Sequence, residues 1–347
     1  QRGEFNNKTL LKDDSLQRME TVTSTNAAQE GQKLGYGLTN YLKPYKQYQY
    51  RQHNGAIHGG LSNFSYLPDF QLGHAVLINA DNFSAMAEIS NAISEYETSG
   101  LAKNIVKAEM KINKHHRSIA GYYYKINARS ALFEFTNIFQ IQILGISGNE
   151  LINKSLFGSK ITGYYPVSNT LYKSVESGVT SLTKTIDPIA GPVVHSEMSV
   201  LKPINIFHLI VIVLISISWL ASILITFIYG LYRGVKYLKN GRSEVIQVSG
   251  KSWSFLASLS ILATSFAIIF MSDLMRLASP SFLSIGIMLM TLGYGVFSTL
   301  AIYSNCSRGF KYGWHSINKV FAIAALFQFI AALYLLNYDM IGLRTWA

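Results

Sequence analysis

His53, Asn54 and Gly55 are the residues of this 347-residue chain whose types and spacing best suit chemistry. They end a strand-like run that begins at Tyr48 and stops at the glycine. The imidazole of His53 can bind a carboxylate or carry a proton, because imidazoles titrate close to neutral pH. Gly55 lets a substrate lie against the strand backbone. A histidine before a turn glycine also occurs for structural reasons alone, so the neighbouring residues decide between these interpretations.

The residues around this triplet form a longer series. In order, it reads Tyr36-Gly-Leu-Thr-Asn, His53-Asn-Gly-Ala, Gly59-Gly-Leu-Ser-Asn-Phe-Ser and Leu67-Pro-Asp-Phe-Gln-Leu-Gly-His-Ala-Val-Leu-Ile-Asn79. The series resembles the late part of the serine β-lactamase/penicillin-binding-protein superfamily, in its class-C-like and esterase-like branch. The resemblance implies an α+β remnant that comprises the antiparallel sheet and the C-terminal helix of the β-lactamase-like fold.

The resemblance also assigns roles to individual residues. In that superfamily the serine of Ser-x-x-Lys attacks a carbonyl, Tyr-x-Asn or Ser-x-Asn relays a proton, and Lys-Thr-Gly or His-x-Gly faces the nucleophile. His53, Asn54 and Gly55 match the third element, with Asn54 as a substrate contact. The backbone N–H of Ala56 would be one oxyanion-hole donor, and losing such a donor typically costs about 3 kcal/mol of barrier.

The nucleophile of that superfamily is missing from its expected place. No Ser-x-x-Lys and no Tyr-x-Asn precedes His53. Later partial matches are interpreted as chance: Ser181-x-x-Lys184, Ser316-x-x-Lys319, Tyr303-x-Asn305 and the wrongly spaced Tyr237-Leu-Lys-Asn240. We therefore expect these residues alone to be inactive, and a further N-terminal lobe of the same protein is an expected partner.

Three domains are predicted from the pattern along the chain. Residues 1–99 hold a short helix, a loop, three strands and a helix from Asp81 to Glu97 whose periodic residues include Met86 and Tyr96. Residues 100–203 form a β-rich accessory domain after a basic, helix-like stretch (103–117), which reads as a solvated face or a membrane-surface helix. The run 131–144 is predicted as strand, and residues 204–347 as a four-helix transmembrane region.

Four apolar runs support the transmembrane prediction. Each approaches the roughly 20 residues that a helix needs to cross a bilayer. They cover 206–229, 253–271, 282–303 and the shortest, 320–336, which could instead be a buried soluble helix; none contains Asp, Glu, Lys or Arg. The lack of charge favours an anchor over a transporter.

Loop charges predict the orientation in the membrane. One side carries Arg233, Lys236, Lys239, Arg242, Lys251, Arg308, Lys311 and Lys319 against Glu244; the other carries Asp273, Arg276, Asp339 and Arg344. The positive-inside bias places the first set in the cytoplasm. A multi-pass protein of the cell membrane with an extracytoplasmic N-terminal 200 residues is therefore expected. Nothing before residue 200 resembles a signal peptide, so a removed leader or a longer N-terminal region is expected.

Composition excludes several other classes of protein. Charged residues make up 14% of the chain, against roughly 25% in soluble proteins. Of the net charge of +11, most arises in residues 201–347, which hold 11 Lys or Arg against 3 Asp or Glu. Charge concentrated beside membrane segments argues against a nucleic-acid partner. The single cysteine, Cys306, excludes an internal disulfide.

No metal or cofactor is expected. His115-His116 and the pair His53 and His58 lack carboxylates or cysteines at ligand spacing. The leading hypothesis is the C-terminal part of a membrane-anchored serine hydrolase. Its partners would be membrane lipid and a cell-envelope peptide, a β-lactam or a small acyl substrate. The alternative is a non-catalytic membrane protein that uses the remnant fold for binding or sensing.

Overall fold

The chain divides into two units, 1–205 and 206–347. A computed structural model describes residues 3–102, 105–127, 131–240, 249–271, 277–312 and 316–346. The residues named above that lie outside these ranges are Arg242, Glu244, Asp273 and Arg276, together with positions 103 and 104 of the basic stretch. The two units are described separately.

A four-stranded antiparallel sheet and one long helix form the first part of unit 1. The strands follow chain order: β3 (Tyr41–Tyr45), β4 (Tyr48–Ile57), β5 (Gly60–Leu67) and β6 (Leu72–Ile78). Short elements precede them: β1 (Glu4–Phe5), β2 (Lys8–Thr9), α1 (Asp13–Glu20) and α2 (Asn26–Gln29). The three predicted strands are present, and β3 is an additional strand that the sequence analysis did not foresee.

The helix α3 (Phe83–Thr98) follows the sheet and covers one of its faces. The side chain of Asn82 caps it by accepting from the N–H of Ala85. The predicted buried stripe is only partly confirmed: Ile93 packs with Met86 on the sheet, whereas Tyr96 is 83% exposed and α3 buries Ser90, Ser94 and Thr98. The physical reason is that part of the sheet surface below is polar: Asn63 Nδ2 donates to Ser90 Oγ across 2.9 Å.

A closed eight-stranded antiparallel barrel forms the rest of unit 1. Its strands are β7 (Gly121–Lys125), β8 (Ile141–Ser147), β9 (Glu150–Ser155), β10 (Ile161–Pro166), β11 (Leu171–Ser174), β12 (Thr180–Asp187), β13 (Gly191–Ser196) and β14 (Ser199–Ile204). The last strand pairs with the first, so Leu201 lies opposite Lys125. The β-rich domain predicted from the sequence is therefore a closed antiparallel barrel.

Alternation along the barrel strands places one apolar set inside. Leu144, Leu151, Tyr164, Leu182 and other inward residues form one buried cluster. Ile119, fully buried, closes one end, and Tyr123 Oη donates to its carbonyl oxygen across 2.7 Å.

Two predictions before and within the barrel are wrong. In the described part of the basic stretch only α4 (Lys114–Arg117) is helical. The segment Ala131–Phe139 is a 3₁₀ helix, and the strand starts only at Ile141. In the described part of the basic stretch, apolar residues at 106, 108, 110 and 112 alternate with charged residues at 107, 109 and 111, and a spacing of two suits an extended chain rather than a helix.

The described residues of unit 2 form four helices long and apolar enough to cross a membrane. They are α5 (Ile206–Asn240), α6 (Gly250–Phe266), α7 (Phe282–Tyr312) and α8 (Ser316–Asn337), and α6 continues into a π-helical turn, Ala267–Met271. Each helix extends beyond the apolar run from which it was predicted. These helices indicate a membrane protein.

Candidate functional site

The predicted site residues lie on the second half of β4, and their side chains alternate between the two faces of the sheet. The covered face is the one packed on α3 and includes Tyr50, Gln52, Asn63, Ser65 and His74. The open face is the other and includes Arg51, His53, Gly55, Ile57, Phe64, Tyr66 and Leu77. Cross-strand pairing fixes this assignment, because His53 lies opposite Phe64 and Gly55 opposite Ser62.

The backbone of β4 has an open edge beyond Gln52. The hairpins on either side turn in two residues, so their closing pairs, Tyr45–Tyr48 and Ile57–Gly60, exchange backbone hydrogen bonds. The direction of the backbone N–H and C=O groups alternates from residue to residue along β4. Those of residues 53, 55 and 57 therefore point toward β5, and those of residues 54 and 56 point to the side where β3 lies. Since β3 begins only at Tyr41, opposite Gln52, no described strand pairs with the β3 side of β4 at 54 and 56.

His53 stands beside this edge in an aromatic setting. The Tyr36 ring meets the imidazole edge to face, with centroids 5.7 Å apart and planes at 86°. Tyr41 lies at 6.5 Å. A backbone bridge between Tyr36 and Tyr41 holds the two tyrosines together. Tyr36 supports the resemblance only as a neighbouring residue, and nothing in its spacing from His53 predicted that the two rings touch.

The open face around His53 exposes large apolar side chains. Leu77 is 78% exposed, Ile57 77% and Phe64 46%. A Cβ added at Gly55 would come within 2.4 Å of Ser62 Oγ, so a larger residue here would displace the Ser62 side chain. An apolar sheet face beside an unpaired edge has the character of a docking surface.

The far end of the open face is already covered. Arg51 donates to the carbonyl oxygen of Glu20, and Tyr66 Oη donates to a Glu20 carboxylate oxygen across 2.6 Å. Burial, with the Glu20 carboxylate beside it, raises the pKa of Tyr66. The end of α1 thus covers Arg51 and Tyr66 and leaves the His53 end open.

Asn54 and Ala56 differ from His53 in what they can offer. Both side chains point to the covered face, where Gln52 Nε2 donates to Asn54 Oδ1 across 3.4 Å. A substrate at His53 would therefore meet these two residues through their main chains. The N–H of Ala56 faces the open edge, and its oxyanion-hole role stays a prediction.

A second-element match escaped the sequence analysis. Ser24-Thr25-Asn26 fits the Ser-x-Asn form and precedes His53. In the structure Thr25 Oγ1 accepts from the N–H of Ala28 and caps α2. Gly31, just beyond α2, accepts from Thr180 of the barrel. Within the described residues, no ring contact or hydrogen bond joins this tripeptide to His53.

The other candidate residues have structural surroundings. Ser181 and Lys184 lie three apart on β12, so their side chains point to opposite sides of the barrel wall. His116 is fully buried, with Nδ1 accepting from the N–H of Asn113 and Nε2 donating to the carbonyl of Ser168. Ser316 begins α8. Across the described ranges, no three His, Cys, Asp or Glu side chains are grouped as metal ligands.

Comparison with known proteins adds little to this geometry. No protein-family model and no curated protein matches the chain. Similar solved structures are SurE with D-Leu (17% identity, TM-score 0.29), SurE alone (16%, 0.29) and the octameric penicillin-binding protein homologue from Pyrococcus abyssi (15%, 0.22). Each match covers 56% of this chain and between 42% and 44% of the other. TM-scores this low carry no argument about fold or activity.

Proposed function

We propose that residues 1–99 are the C-terminal part of a β-lactamase-like serine hydrolase domain, which a membrane region anchors to the cell envelope. The substrates would be peptidoglycan-type peptides, β-lactams or small esters and amides. A separate lobe carrying the Ser-x-x-Lys nucleophile would dock on the open face. The observation that carries this proposal is the open edge of β4, where the N–H of Ala56 faces outward beside His53.

The chemistry of such a site follows from what the edge supplies. The nucleophile's hydroxyl oxygen would attack the substrate carbonyl, and its proton would pass to a base on the docked lobe. The negative charge on the carbonyl oxygen would be stabilised by the N–H of Ala56 together with the nucleophile's own N–H. The His53 imidazole would hold the substrate carboxylate or relay the proton. The exposed Leu77, Ile57 and Phe64 would be buried by the docked lobe.

Labelling with a fluorescent penicillin and a fluorophosphonate tests the proposal. The gene is expressed with its upstream coding sequence, and also as these 347 residues alone. We expect label on the longer product only, and His53→Ala should slow it by about 10²-fold, the size typical of a proton-transfer group. His115→Ala, an exposed histidine in the barrel unit, is the matched control.

Three outcomes would overturn it. The first is label on the 347 residues alone, which would mean that a nucleophile lies among them. The second is equal labelling of the His53→Ala and unmodified long products, which would mean that His53 takes no part in the chemistry. A third result, an upstream sequence without Ser-x-x-Lys, would also overturn the proposal and would favour a non-catalytic binding or sensing module. The absence of Ser-x-x-Lys before His53 is the observation that keeps this alternative in view.

A further inference from the structure

The barrel of unit 1 is filled at one end and hollow at the other. Ile119, Tyr123 and the apolar cluster occupy the end near α4. Near the opposite end lies a cavity of about 200 Å³, lined among others by Lys125, Gln142, Asn153, Thr162, Ser196 and Ser199. Eight-stranded barrels are wide enough to hold one small ligand when side chains do not fill them.

The strand register shows that the polar side chains lining the cavity point into the barrel. Lys125 lies opposite Leu201, which is a member of the buried cluster. Asn153 lies opposite Leu144 on one side and Thr162 on the other. Interior positions of a small barrel are ordinarily filled by packed side chains, and polar groups there cost free energy unless they are hydrogen-bonded. A polar layer there requires its own explanation.

Two groups in this layer lack partners among the described residues. Lys125 is half-buried, and no described acidic group forms an ion pair with it. Asn153 Nδ2 donates to Ser196 Oγ across 3.0 Å, but its Oδ1 is buried without a hydrogen bond. At the cavity mouth, Lys160 already has Glu197 at 3.9 Å. The cavity thus offers one cationic donor and one buried acceptor, and leaving either unpaired is costly.

We propose that this cavity binds a small organic acid whose carboxylate pairs with Lys125 and whose neighbouring O–H or N–H donates to Asn153 Oδ1. The volume equals that of about seven liquid waters, which suits a molecule the size of a monosaccharide or a dipeptide. Sugar acids and peptide carboxylates share this chemistry. The site is separate from His53 and does not depend on the hydrolase proposal.

Calorimetric titration of the full chain in lipid nanodiscs tests the proposal. Glucuronate represents the sugar acids, D-alanyl-D-alanine the peptide carboxylates, and methyl glucoside is the neutral control. We expect one acid or both to bind at one site, and the responding arm identifies the source. Lys125→Met should weaken binding at least about tenfold, as expected when a charge-assisted hydrogen bond is lost.

Matched variants separate this site from others. Lys202→Met alters a lysine on the neighbouring strand that lies opposite Tyr124 and points outward, and it should leave the affinity unchanged. Ser199→Phe fills the cavity and should abolish binding even if Lys125→Met fails to fold. His53→Ala should have no effect. The proposal is overturned if neither acid binds below about 10 mM, if methyl glucoside binds as tightly as glucuronate, or if Lys125→Met or Ser199→Phe binds normally.

Discussion

The imidazole of His195, which faces outward from the barrel, should make the stability of the barrel depend on pH. Its Nε2 is buried without a hydrogen bond to any described group. Burial lowers the pKa of His195, and the nearby Asp187 carboxylate only partly offsets this. Since the folded state disfavours the charged imidazole, the unfolded state binds a proton first as the pH falls.

The sign of the resulting stability change is therefore fixed. Unfolding free energy attributable to His195 is fully retained above the ordinary histidine pKa and declines as the pH falls from about 6.5 toward the lowered folded value. We expect the thermal midpoint of the barrel to fall between pH 7 and pH 5, and to fall less in His195→Gln. The exposed His115→Gln is the control. Identical pH profiles for His195→Gln and the unmodified protein would contradict this reasoning.

The buried carboxylate of Glu97 links the helix α3 to the sheet. Glu97 Oε2 accepts from Tyr50 Oη across 2.8 Å and lies 3.1 Å from His74 Nδ1. The side chains of Glu97 and His74 are only 12% and 8% exposed. Burial, with the Glu97 carboxylate beside it, raises the pKa of Tyr50. One acceptor thus links α3 with β4 and β6.

Removing that acceptor should loosen the helix. Glu97→Ala removes the buried carboxylate acceptor that Tyr50 and His74 share, which costs about 2–4 kcal/mol of unfolding free energy. Thermal unfolding, with hydrogen exchange of α3 as a local readout, measures the loss. Glu95→Ala, on the same helix, removes only an exposed pair with Lys46 and should leave both readouts unchanged. Equal effects from the two variants would show that Glu97 is not the link.

The elements also show what sequence patterns can predict. Alternation and turn residues predicted β4, β5 and β6, because a half-buried strand must repeat every two residues. Periodicity found α3 and the packing of Met86 and Ile93, but it missed the buried serines, which meet polar side chains of the sheet. The 3₁₀ helix at Ala131–Phe139 escaped because a short apolar run fits several structures equally well.

The local structure of the candidate site was likewise predicted only in part. The order of residues around His53 predicted a strand that ends near a turn, and β4 does so. The order of residues could not show that β3 begins only at Tyr41, since hairpin register depends on which residues turn. Because β3 begins there, the backbone of β4 is left unpaired beyond Gln52. The ring of Tyr36 reaches His53 only through the chain's path between distant positions.

Within unit 2, one buried polar network joins all four helices. Gln328 Nε2 donates to Thr226 Oγ1 across 3.0 Å and to Ser258 Oγ across 2.8 Å. The main-chain carbonyl oxygen of Gln328 accepts from Tyr294 Oη across 2.9 Å. Tyr294 Oη in turn accepts from Trp219 Nε1, also across 2.9 Å. Hydrogen bonds of this kind fix which helix faces meet when the surroundings are as apolar as the helices.

The network should contribute measurably to helix association. Gln328→Leu keeps the size of the side chain but removes the donors to α5 and α6, and should lower unfolding free energy in detergent by about 1 kcal/mol. Ser265→Ala is the control, since that exposed hydroxyl bonds only to the Ile261 carbonyl of its own helix. A Gln328→Leu protein as stable as the unmodified one would mean that packing alone holds the helices together.

The expected sidedness of the whole molecule can be tested with single cysteines. In a Cys306→Ser background, Ile189→Cys places a thiol at a 98% exposed position of unit 1. Lys239→Cys places one near the end of α5. By the positive-inside bias, an impermeant maleimide should label Ile189→Cys in intact cells and Lys239→Cys only after permeabilisation. The reverse pattern would invert the predicted topology.

The unpaired edge of β4 has a consequence for anyone who purifies this protein. Unpaired backbone N–H and C=O groups flanked by exposed apolar side chains can pair with a strand of another molecule and start cross-β aggregation. The closed barrel has no unpaired edge strand and lacks this risk. Oligomers formed on concentration should therefore be seeded by the N-terminal sheet, and detergent chosen for the helices will not dissolve them. A lysine introduced at Ala56 should suppress them.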